Sequence, residues 1–241
     1  MAPTSTQRNC PLSFVDRLTI VWFVLDGLTH LGMEAGYVWL ALTTTAMKAN
    51  SFNAYVWREY GRADSRWAVR DPMVISIELP TVFVCGPLSL VIVWAILARK
   101  PFRHVLQAVV CTMELYGCWM TFAPEWLSGS SSLDLDNKVF LWVYLTFMNG
   151  LWVYVPTILL WESVVQLTHA CDVAKTEGID QLRRGSTADG SAKNGWELGP
   201  GMRMGLPGML WWHSVAGLIA LYCILVPGVL LLYADPPAPE L

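Results

Sequence analysis

Three ionisable residues inside one apolar stretch carry the strongest indication of chemistry. Asp26, His30 and Glu34 are spaced by four within residues 18–42, which places their side chains on one face of a helix. The stretch is long enough to cross a bilayer, which takes about 20 residues. A charged group at that depth costs about 3 kcal/mol on insertion scales, and such groups persist where they face a bundle interior or a cavity. We therefore interpret this stripe as the floor of a site.

Polar residues in the later apolar stretches add acids, hydrogen-bonding groups and an indole to this stripe. They are Glu78, Thr81, Glu114, Tyr116, Asn149 and Trp152. Burial disfavours the ionised form of a carboxyl group, so some of these acids are expected to keep a proton at neutral pH. A protonated acid beside a base in a dry pocket suits proton transfer to carbon. An indole facing the pocket stabilises a cation, so the set favours a carbocation mechanism over hydrolysis.

Several of these residues also have a purely structural interpretation. His30 and Glu34 can pair across one helical turn and hold helices together. Glu78 lies near the start of its helix, where it can contact interfacial water. Asn149 can serve as a polar contact between helices, and Trp152 as an ordinary core or interfacial aromatic residue.

Composition indicates an integral membrane protein. Of 241 residues, 54% are hydrophobic and 15% charged, whereas soluble domains carry about 25% charged residues. The net charge of -3 and the lack of a basic run argue against nucleic-acid binding. The six cysteines show no metal-type C-x-x-C pair, so we expect neither a disulfide framework nor a metal site. No Ser-His-Asp elbow, phosphate loop or H-E-x-x-H pattern supports hydrolase, kinase or protease chemistry.

The sequence predicts an all-α bundle of about five transmembrane helices that positions these residues. The predicted helices span residues 17–45, 72–98, 102–122, 139–167 and 206–233. The predicted organisation is a short polar N-terminus (1–16) without a removable signal peptide, a four-helix core (17–167), a flexible polar loop (168–205), an additional transmembrane helix (206–234) and a tail (235–241). The polar and aromatic segment 48–71 is predicted to fold over one mouth of the bundle.

The distribution of positive charge predicts the orientation of the bundle. With five spans, the loops on the side of the N-terminus carry ten of the 16 Lys and Arg residues. Positive loops face the cytosol, so we expect a cytosolic N-terminus.

Five motifs in order give the sequence a family resemblance. They are THLGMEAG (29–36), WREYGRADSRW (57–67), IELPTVFVCGPLSL (77–90), ELYG (114–117) and FMNGLWVYVP (147–156). The chain resembles the emopamil-binding protein family, the sterol Δ8-Δ7 isomerases, over about residues 15–170. The resemblance implies a helical bundle in the endoplasmic reticulum membrane with a sterol-sized cavity. It also implies an isomerase that moves a ring double bond by protonation and deprotonation without a cofactor.

The resemblance further implies roles for the matched residues. His30 and Glu34 match the first-helix pair of the family, and Glu78 and Thr81 match its second-helix acid and hydroxyl. Asn149 and Trp152 match its fourth-helix pair, in which the indole faces the carbocation. Glu78 and Glu34 are the expected proton-handling acids, with His30 tuning or relaying. The expected partners are a sterol or terpenoid substrate, the lipid bilayer and cationic amphiphiles as inhibitors, and a homodimer is compatible with the resemblance.

Departures from the family pattern keep other functions open. Family members have a further helix before the His/Glu helix, and this chain instead has an added loop and helix after the fourth span. Asp26 and Glu114 stand where the family has uncharged residues, while Cys118 replaces an acid. A terpenoid cyclase or isomerase that protonates an epoxide or alkene is therefore the alternative to a sterol isomerase. A non-catalytic sterol- or amine-binding protein is a third hypothesis, and the absence of an internal repeat disfavours a transporter.

Overall fold

The structure, a computed structural model, describes residues 11–188, with side chains described through residue 180. Five helices longer than two turns occupy this part of the chain. Helix α1 joins Phe14–Leu28, Thr29–Glu34 and Ala35–Thr43, α2 is Phe52–Tyr60, α3 joins Pro72–Pro80, Thr81–Cys85 and Gly86–Leu97, α4 is Arg103–Leu127, and α5 joins Phe140–Met148 and Asn149–Ala188. The described residues form no β-sheet, and one isolated bridge pairs Asp64 with Leu133.

Side-chain caps explain where the site-bearing helices begin. Ser13 accepts a hydrogen bond from the Asp16 N–H at 3.0 Å, and the Asp16 carboxylate accepts one from the Ser13 N–H, which forms a capping box at the start of α1. The Asp71 carboxylate accepts the Val74 N–H at 2.9 Å, and Pro72 occupies the first turn of α3. These caps fix the register of α1 and α3, two of the three helices that carry the predicted acids.

Three of the helices widen into π-helical segments at the level of the predicted site. The segments are Thr29–Glu34 in α1, Thr81–Cys85 in α3 and Phe140–Met148 in α5. Pro80 has no N–H to donate, which accounts for the altered hydrogen bonding that follows it in α3. Such segments are frequent at functional sites because they redirect side chains out of the regular α-helical repeat.

Helices α1, α3, α4 and α5 pack into the body of the bundle, with α1 along the second half of α3 and α4 along α5. Gly86 is where α3 meets α1. A Cβ atom there would lie 2.9 Å from Leu31 Cγ and 3.1 Å from His30 Cβ. Glycine therefore permits the close approach that brings α3 up to His30.

The segment between α1 and α3 folds as a cap over one end of the bundle. We call residues 46–71 the cap; it contains α2 and the 3₁₀ turn Ser65–Ala68. The rings of Trp57 and Trp67 stack with centroids 4.7 Å apart, and Tyr37 of α1 contacts both. The Trp57 indole N–H donates to the Met33 carbonyl at 3.1 Å. This aromatic cluster joins the cap to α1.

A buried ion pair and a backbone hydrogen bond join the cap to the last turn of α4 and to the loop that follows it. Arg66 donates two hydrogen bonds to Asp64, at 2.9 and 2.6 Å, and its Nε lies 3.7 Å from Glu125 Oε1. The Ser65 N–H donates to the Ser132 carbonyl at 2.9 Å. Burial raises the pKa of the Asp64 carboxyl, and the hydrogen bonds and charge of Arg66 oppose that shift.

Three helices are long and apolar enough to cross a membrane: Pro72–Leu97, Arg103–Leu127 and Phe140–Asp180. Helix α1 is not among them, because Asp26, His30 and Glu34 lower its mean hydropathy. The all-α membrane fold class is thus confirmed, whereas a count of five spans is not established. The predicted helix 206–233 lies outside the described residues.

Helix α5 extends further than the sequence predicts. It continues to Ala188, although a flexible loop is predicted from residue 168 onward. The stretch 168–184 is rich in the helix formers Ala, Glu, Lys, Leu and Arg, and it carries one glycine, Gly178. Its polarity suggested a loop, but an exposed polar helix has the same composition. The rest of the predicted loop, 189–205, is outside the described residues.

Candidate active site

One cavity of about 350 Å³ lies between the bundle and the cap. That volume falls in the range of about 300–1,000 Å³ typical of small-molecule sites. The cavity is lined by Thr29, His30, Met33, Glu34, Val56, Trp57, Tyr60, Trp67, Glu78, Thr81, Glu114, Cys118, Thr121, Met148, Asn149 and Trp152. The six residues that match the family's site are all in this set: His30, Glu34, Glu78, Thr81, Asn149 and Trp152. The cap supplies the aromatic part of the wall.

His30 lies at the centre of the acids. Its Nδ1 is 2.5 Å from Glu34 Oε2, and its Nε2 is 3.1 Å from Asp26 Oδ1 and 3.9 Å from Glu114 Oε1. The imidazole is only 2% exposed. Both ring nitrogens therefore face carboxyl groups, an arrangement that favours the imidazolium form and permits a proton to enter at one nitrogen and leave at the other.

Asp26 lies behind the cavity wall and is held by neighbouring donors. Its Oδ1 accepts the Trp152 indole N–H at 2.9 Å, and the Ser89 hydroxyl lies 2.7 Å from its Oδ2. The residue is 1% exposed and is not among the cavity-lining residues. Donors on both oxygens, with His30 beside them, stabilise the ionised carboxylate. Asp26 therefore contacts both His30 and Trp152 from behind the cavity wall.

Glu34 and Glu78 bring two carboxyl groups together across α1 and α3. Both side chains line the cavity, Glu34 from α1 and Glu78 from α3. The Thr81 hydroxyl is 3.1 Å from Glu78 Oε2 and 2.9 Å from the Glu78 carbonyl oxygen. Two carboxyl groups that face one dry cavity are placed for acid–base chemistry. Such a pair can both give and accept a proton.

Asn149 and Tyr60 form a neutral polar edge of the cavity. The Asn149 amide donates to the Tyr60 hydroxyl oxygen at 2.9 Å and also lies within 3.0 Å of the Tyr144 and Leu145 carbonyl oxygens. Burial raises the pKa of the Tyr60 phenol, which keeps it neutral. Trp152, on the next turn of α5, presents its indole to the cavity and contacts Trp22 with ring centroids 5.7 Å apart.

Glu114 is the acid that differs most from the others. It lines the cavity and is 3% exposed, yet neither of its oxygens accepts a hydrogen bond from a donor in the part of the chain that the structure describes. A buried carboxylate without donors is costly, so this acid favours its neutral form. Asp26, His30 and Glu114 place three potential ligand atoms within 4.8 Å of one another, a spacing that also fits a metal ion.

The structure brings together most but not all of the predicted residues. His30, Glu34, Glu78, Thr81, Glu114, Asn149 and Trp152 line one cavity, and Asp26 lies directly behind it. Tyr116 is not brought to the site: its side chain is 65% exposed on the outer face of α4. Because Tyr116 follows Glu114 by two residues, it lies roughly 200° around the helix from it.

Sequence reasoning missed two residues that contact site side chains. Tyr60 lies in the WREYGRADSRW motif of the cap, but the hydrogen bond that its hydroxyl oxygen accepts from Asn149 joins residues far apart in the sequence. Ser89 lies next to Asp26 through the packing of α3 on α1. The four-residue spacing of Cys85 and Ser89, two small residues in an apolar run, was the available signal for close helix contact.

Sequence comparisons place the chain among known proteins. The profile of the EXPERA family, the expanded EBP superfamily, matches residues 52–163. The 3-beta-hydroxysteroid-Delta(8),Delta(7)-isomerase of Cavia porcellus is 34% identical over 168 residues, covering 69% of this chain and 72% of the relative. The isomeliandiol synthase of Melia azedarach is 32% identical over 163 residues, covering 66% and 74%. The protoglabretal synthase of Citrus sinensis is 31% identical over 161 residues, covering 66% and 74%.

The chain belongs to the EBP family of membrane proteins, as its five motifs predict. It is an enzyme of the isomerase type found in this family.

Proposed function

We propose that this protein is a cofactor-independent membrane isomerase that shifts the Δ8 double bond of a sterol-like substrate to Δ7 through a carbocation. The observation that supports the proposal is the meeting of Glu34, Glu78, His30 and Trp152 in one largely apolar cavity. The similarity to sterol Δ8-Δ7 isomerases points to the same substrate class.

Atom balance defines what the site must do. The Δ8 double bond joins C8 and C9, so a proton added to C9 leaves the positive charge on C8. Loss of a proton from C7 then forms the Δ7 double bond, with no redox change and no net proton. We assign both transfers to the Glu34–Glu78 carboxyl pair, because one carboxyl group can give a proton while the other accepts one. His30 relays between the pair and the other acids through its hydrogen bond to Glu34.

Trp152 is the residue assigned to the cation. An indole face stabilises a desolvated cation by about 2 kcal/mol, which corresponds to roughly 30-fold in rate. Its N–H is held by the Asp26 carboxylate, which fixes the ring plane and increases the electron density of the indole. Cationic amphiphiles should compete with substrate, because an ammonium group placed among acids and an indole resembles the carbocation.

Turnover in deuterium oxide tests the proposal. Membranes containing the full chain receive a Δ8-sterol, and products are followed by mass spectrometry. We expect a Δ7 product with one solvent deuteron, and a loss of turnover of about 100-fold or more in Glu78→Gln, because the amide cannot transfer the proton. The Glu78→Gln variant should still bind a cationic amphiphile.

Glu59→Gln is the matched control, because it makes the same change in a side chain that is 36% exposed and lies outside the cavity lining. Normal turnover by Glu78→Gln would show that the site assignment is wrong. Tight sterol or amine binding without turnover in the wild type would instead favour the non-catalytic binding protein.

A rearranging or cyclising activity on a terpenoid is the second candidate. It is supported by the similarity to isomeliandiol and protoglabretal synthases and by the two acids, Asp26 and Glu114, that the family pattern lacks. Protonation, a cation and deprotonation are common to both reactions, so the substrate distinguishes them.

We further propose that the protein resides in the endoplasmic reticulum membrane with its N-terminus in the cytosol. Support comes from the sterol isomerase relatives and from the positive charges of Arg99, Lys100 and Arg103 where α3 ends and α4 begins, on the side of the N-terminus. Protection of an N-terminal tag from protease in sealed microsomes would contradict this orientation.

A further inference from the structure

We propose that a basic pocket at the end of the bundle opposite the cap binds the phosphate group of an anionic membrane phospholipid. The pocket has a volume of about 220 Å³ and lies between the start of α1, the end of α3 and the start of α4. Its polar lining consists of Asp16, Arg99, Lys100, Arg103 and His104. None of these residues lines the cavity of the active site, so this pocket is a separate site and does not depend on the proposed isomerase chemistry.

The charge of the pocket favours an anion. Arg99, Lys100 and Arg103 bring three positive charges to its wall, and Asp16 is the one acid among the described residues that line it. Glu162, which does not line the pocket, also contacts Arg103, and the five groups together keep a net positive charge. Basic pockets between transmembrane helices at the membrane surface are typical sites for phosphate-bearing headgroups.

Two buried nitrogen atoms of the lining residues lack partners. Arg103 Nη2 lies 2.8 Å from Asp16 Oδ1 and 3.3 Å from Glu162 Oε1. Arg103 Nη1 and His104 Nδ1, in contrast, are buried and have no hydrogen-bond partner among the described residues. Buried polar atoms of this kind are normally paired. A phosphate group offers several acceptor oxygen atoms and pairs readily with a guanidinium group, so it can supply the missing partner of Arg103.

The turn after α3 holds two of the cations at the pocket. The Arg99 N–H donates to the Ile96 carbonyl oxygen at 3.0 Å. The Lys100 N–H donates to the Ala95 carbonyl oxygen at 2.8 Å, which completes a Schellman motif. Arg99 has a left-handed backbone conformation, with φ 52°, at the position where glycine is usual in this motif. The chain therefore has a cation at a position where the backbone favours glycine.

The pocket lies at the level expected for lipid headgroups. It lies where Pro72–Leu97 ends and Arg103–Leu127 begins, and both helices are long and apolar enough to cross a membrane. Trp94 and Phe102, from the same two helix ends, contact each other with ring centroids 6.1 Å apart and are 54% and 41% exposed. Exposed aromatic residues are typical of the membrane interface. A phospholipid therefore fits better than a free phosphate ion, because its acyl chains can lie on the exposed apolar side chains of α3 and α4.

A bound phosphate group is expected to stabilise the helices that carry the active site. Arg103 of α4 contacts Asp16 in the first turn of α1 and Glu162 of α5. An anion between Arg103 and Lys100 adds a contact to the end of α3 and offsets the repulsion between the cations. The lipid then connects the ends of four helices. Because a ligand that binds the folded state stabilises it by mass action, the melting temperature should rise with lipid concentration.

Thermal unfolding of the full chain in mixed micelles tests the site. Dioleoylphosphatidylserine is titrated at a fixed detergent concentration, and dioleoylphosphatidylcholine, which has no net charge, is the reference lipid. We expect phosphatidylserine to raise the Tm of the wild type to a plateau, and phosphatidylcholine to raise it less. Lys100→Glu should move the midpoint of the titration to roughly 30-fold more phosphatidylserine, because it changes the local charge by two units of about fivefold each.

Lys138→Glu is the matched control. It makes the same charge change in an exposed side chain directly before α5, at the end of the bundle that carries the cap, and should titrate as the wild type. Lys100 is also exposed, and its side chain has no hydrogen-bond or ion-pair partner in the described part of the chain. Both variants should therefore melt as the wild type does without lipid. If Lys100→Glu melts lower without lipid, Lys100→Gln replaces it, with an expected shift of about fivefold.

Four results would overturn the proposal. The first is a Tm of the wild type that does not respond to phosphatidylserine, and the second is an equal rise with phosphatidylcholine. The third is the same titration midpoint in the Lys100 and Lys138 variants, because the lipid would then act elsewhere on the protein. The fourth is an equal rise with inorganic phosphate in place of the lipid, which would show a site for a free anion only.

Discussion

Replacing Arg66 by Met is expected to loosen the cap and with it the cavity wall. Arg66 is 5% exposed and donates two hydrogen bonds to Asp64, which is fully buried. Methionine has a similar length but no charge, so the variant leaves a buried carboxylate without its cation. Removing one partner of a buried pair costs about 3–5 kcal/mol. For a chain of this size that corresponds to a fall of roughly 6–20 °C in Tm.

The pH dependence of this loss has a definite sign. Burial already raises the pKa of the Asp64 carboxyl, and removal of Arg66 removes the main opposing influence, so the pKa rises further in the variant. A raised folded-state pKa means that the folded protein binds a proton more tightly than the unfolded chain. Stability is then lost as pH rises through the folded pKa and regained as pH falls. The deficit of Arg66→Met should therefore shrink under acidic conditions.

Thermal unfolding in detergent micelles, followed across pH, measures both effects. A second variant, Asp64→Asn combined with Arg66→Met, removes the unpaired charge and should recover much of the lost stability. In the double variant, the side-chain amide oxygen at position 64 can still accept a hydrogen bond from the backbone N–H of residue 66, as Asp64 Oδ1 does in the wild type at 3.2 Å. A melting temperature of Arg66→Met close to that of the wild type, or a double variant no more stable than the single one, would refute the reasoning.

Two further substitutions probe the packing of the site. Trp152→Phe keeps an aromatic face but loses the N–H hydrogen bond to Asp26 and part of the ring quadrupole, so kcat should fall roughly tenfold with little change in KM. The control is Trp119→Phe, because Trp119 is 60% exposed. An unchanged kcat in Trp152→Phe would remove the indole from the mechanism. Gly86→Ala places a Cβ 2.9 Å from Leu31 Cγ, so we expect a loss of about 1–3 kcal/mol in unfolding free energy and reduced turnover. Wild-type turnover and melting in this variant would show that the contact of α3 with His30 is not tight.

The stripe on α1 could be predicted because a four-residue spacing places residues on one helical face whatever the neighbouring helices do. Asp26 and Glu34 do contact the two sides of His30. The contact from Trp152 to Asp26 was beyond prediction, since it joins residues 126 positions apart. The prediction that Tyr116 faces the site with Glu114 was wrong, because side chains two residues apart on a helix point to nearly opposite sides. Tyr60 required the fold of the cap, which single-sequence periodicity does not give.

The placement of the polar groups explains how one bundle holds four acids in its interior. Asp26 accepts hydrogen bonds from an indole N–H and a hydroxyl, Glu34 contacts the imidazole, and Glu78 accepts a hydrogen bond from the Thr81 hydroxyl. Each of these contacts offsets part of the cost of burial.

Glu114 accepts no hydrogen bond from a donor among the described residues, and His30 Nε2 lies 3.9 Å from its Oε1. A group of this kind is stabilised when a substrate supplies the missing partner. An oxygen atom brought to Glu114 would therefore be bound more strongly than the hydrocarbon it replaces, and this difference is a basis for substrate selection within the cavity.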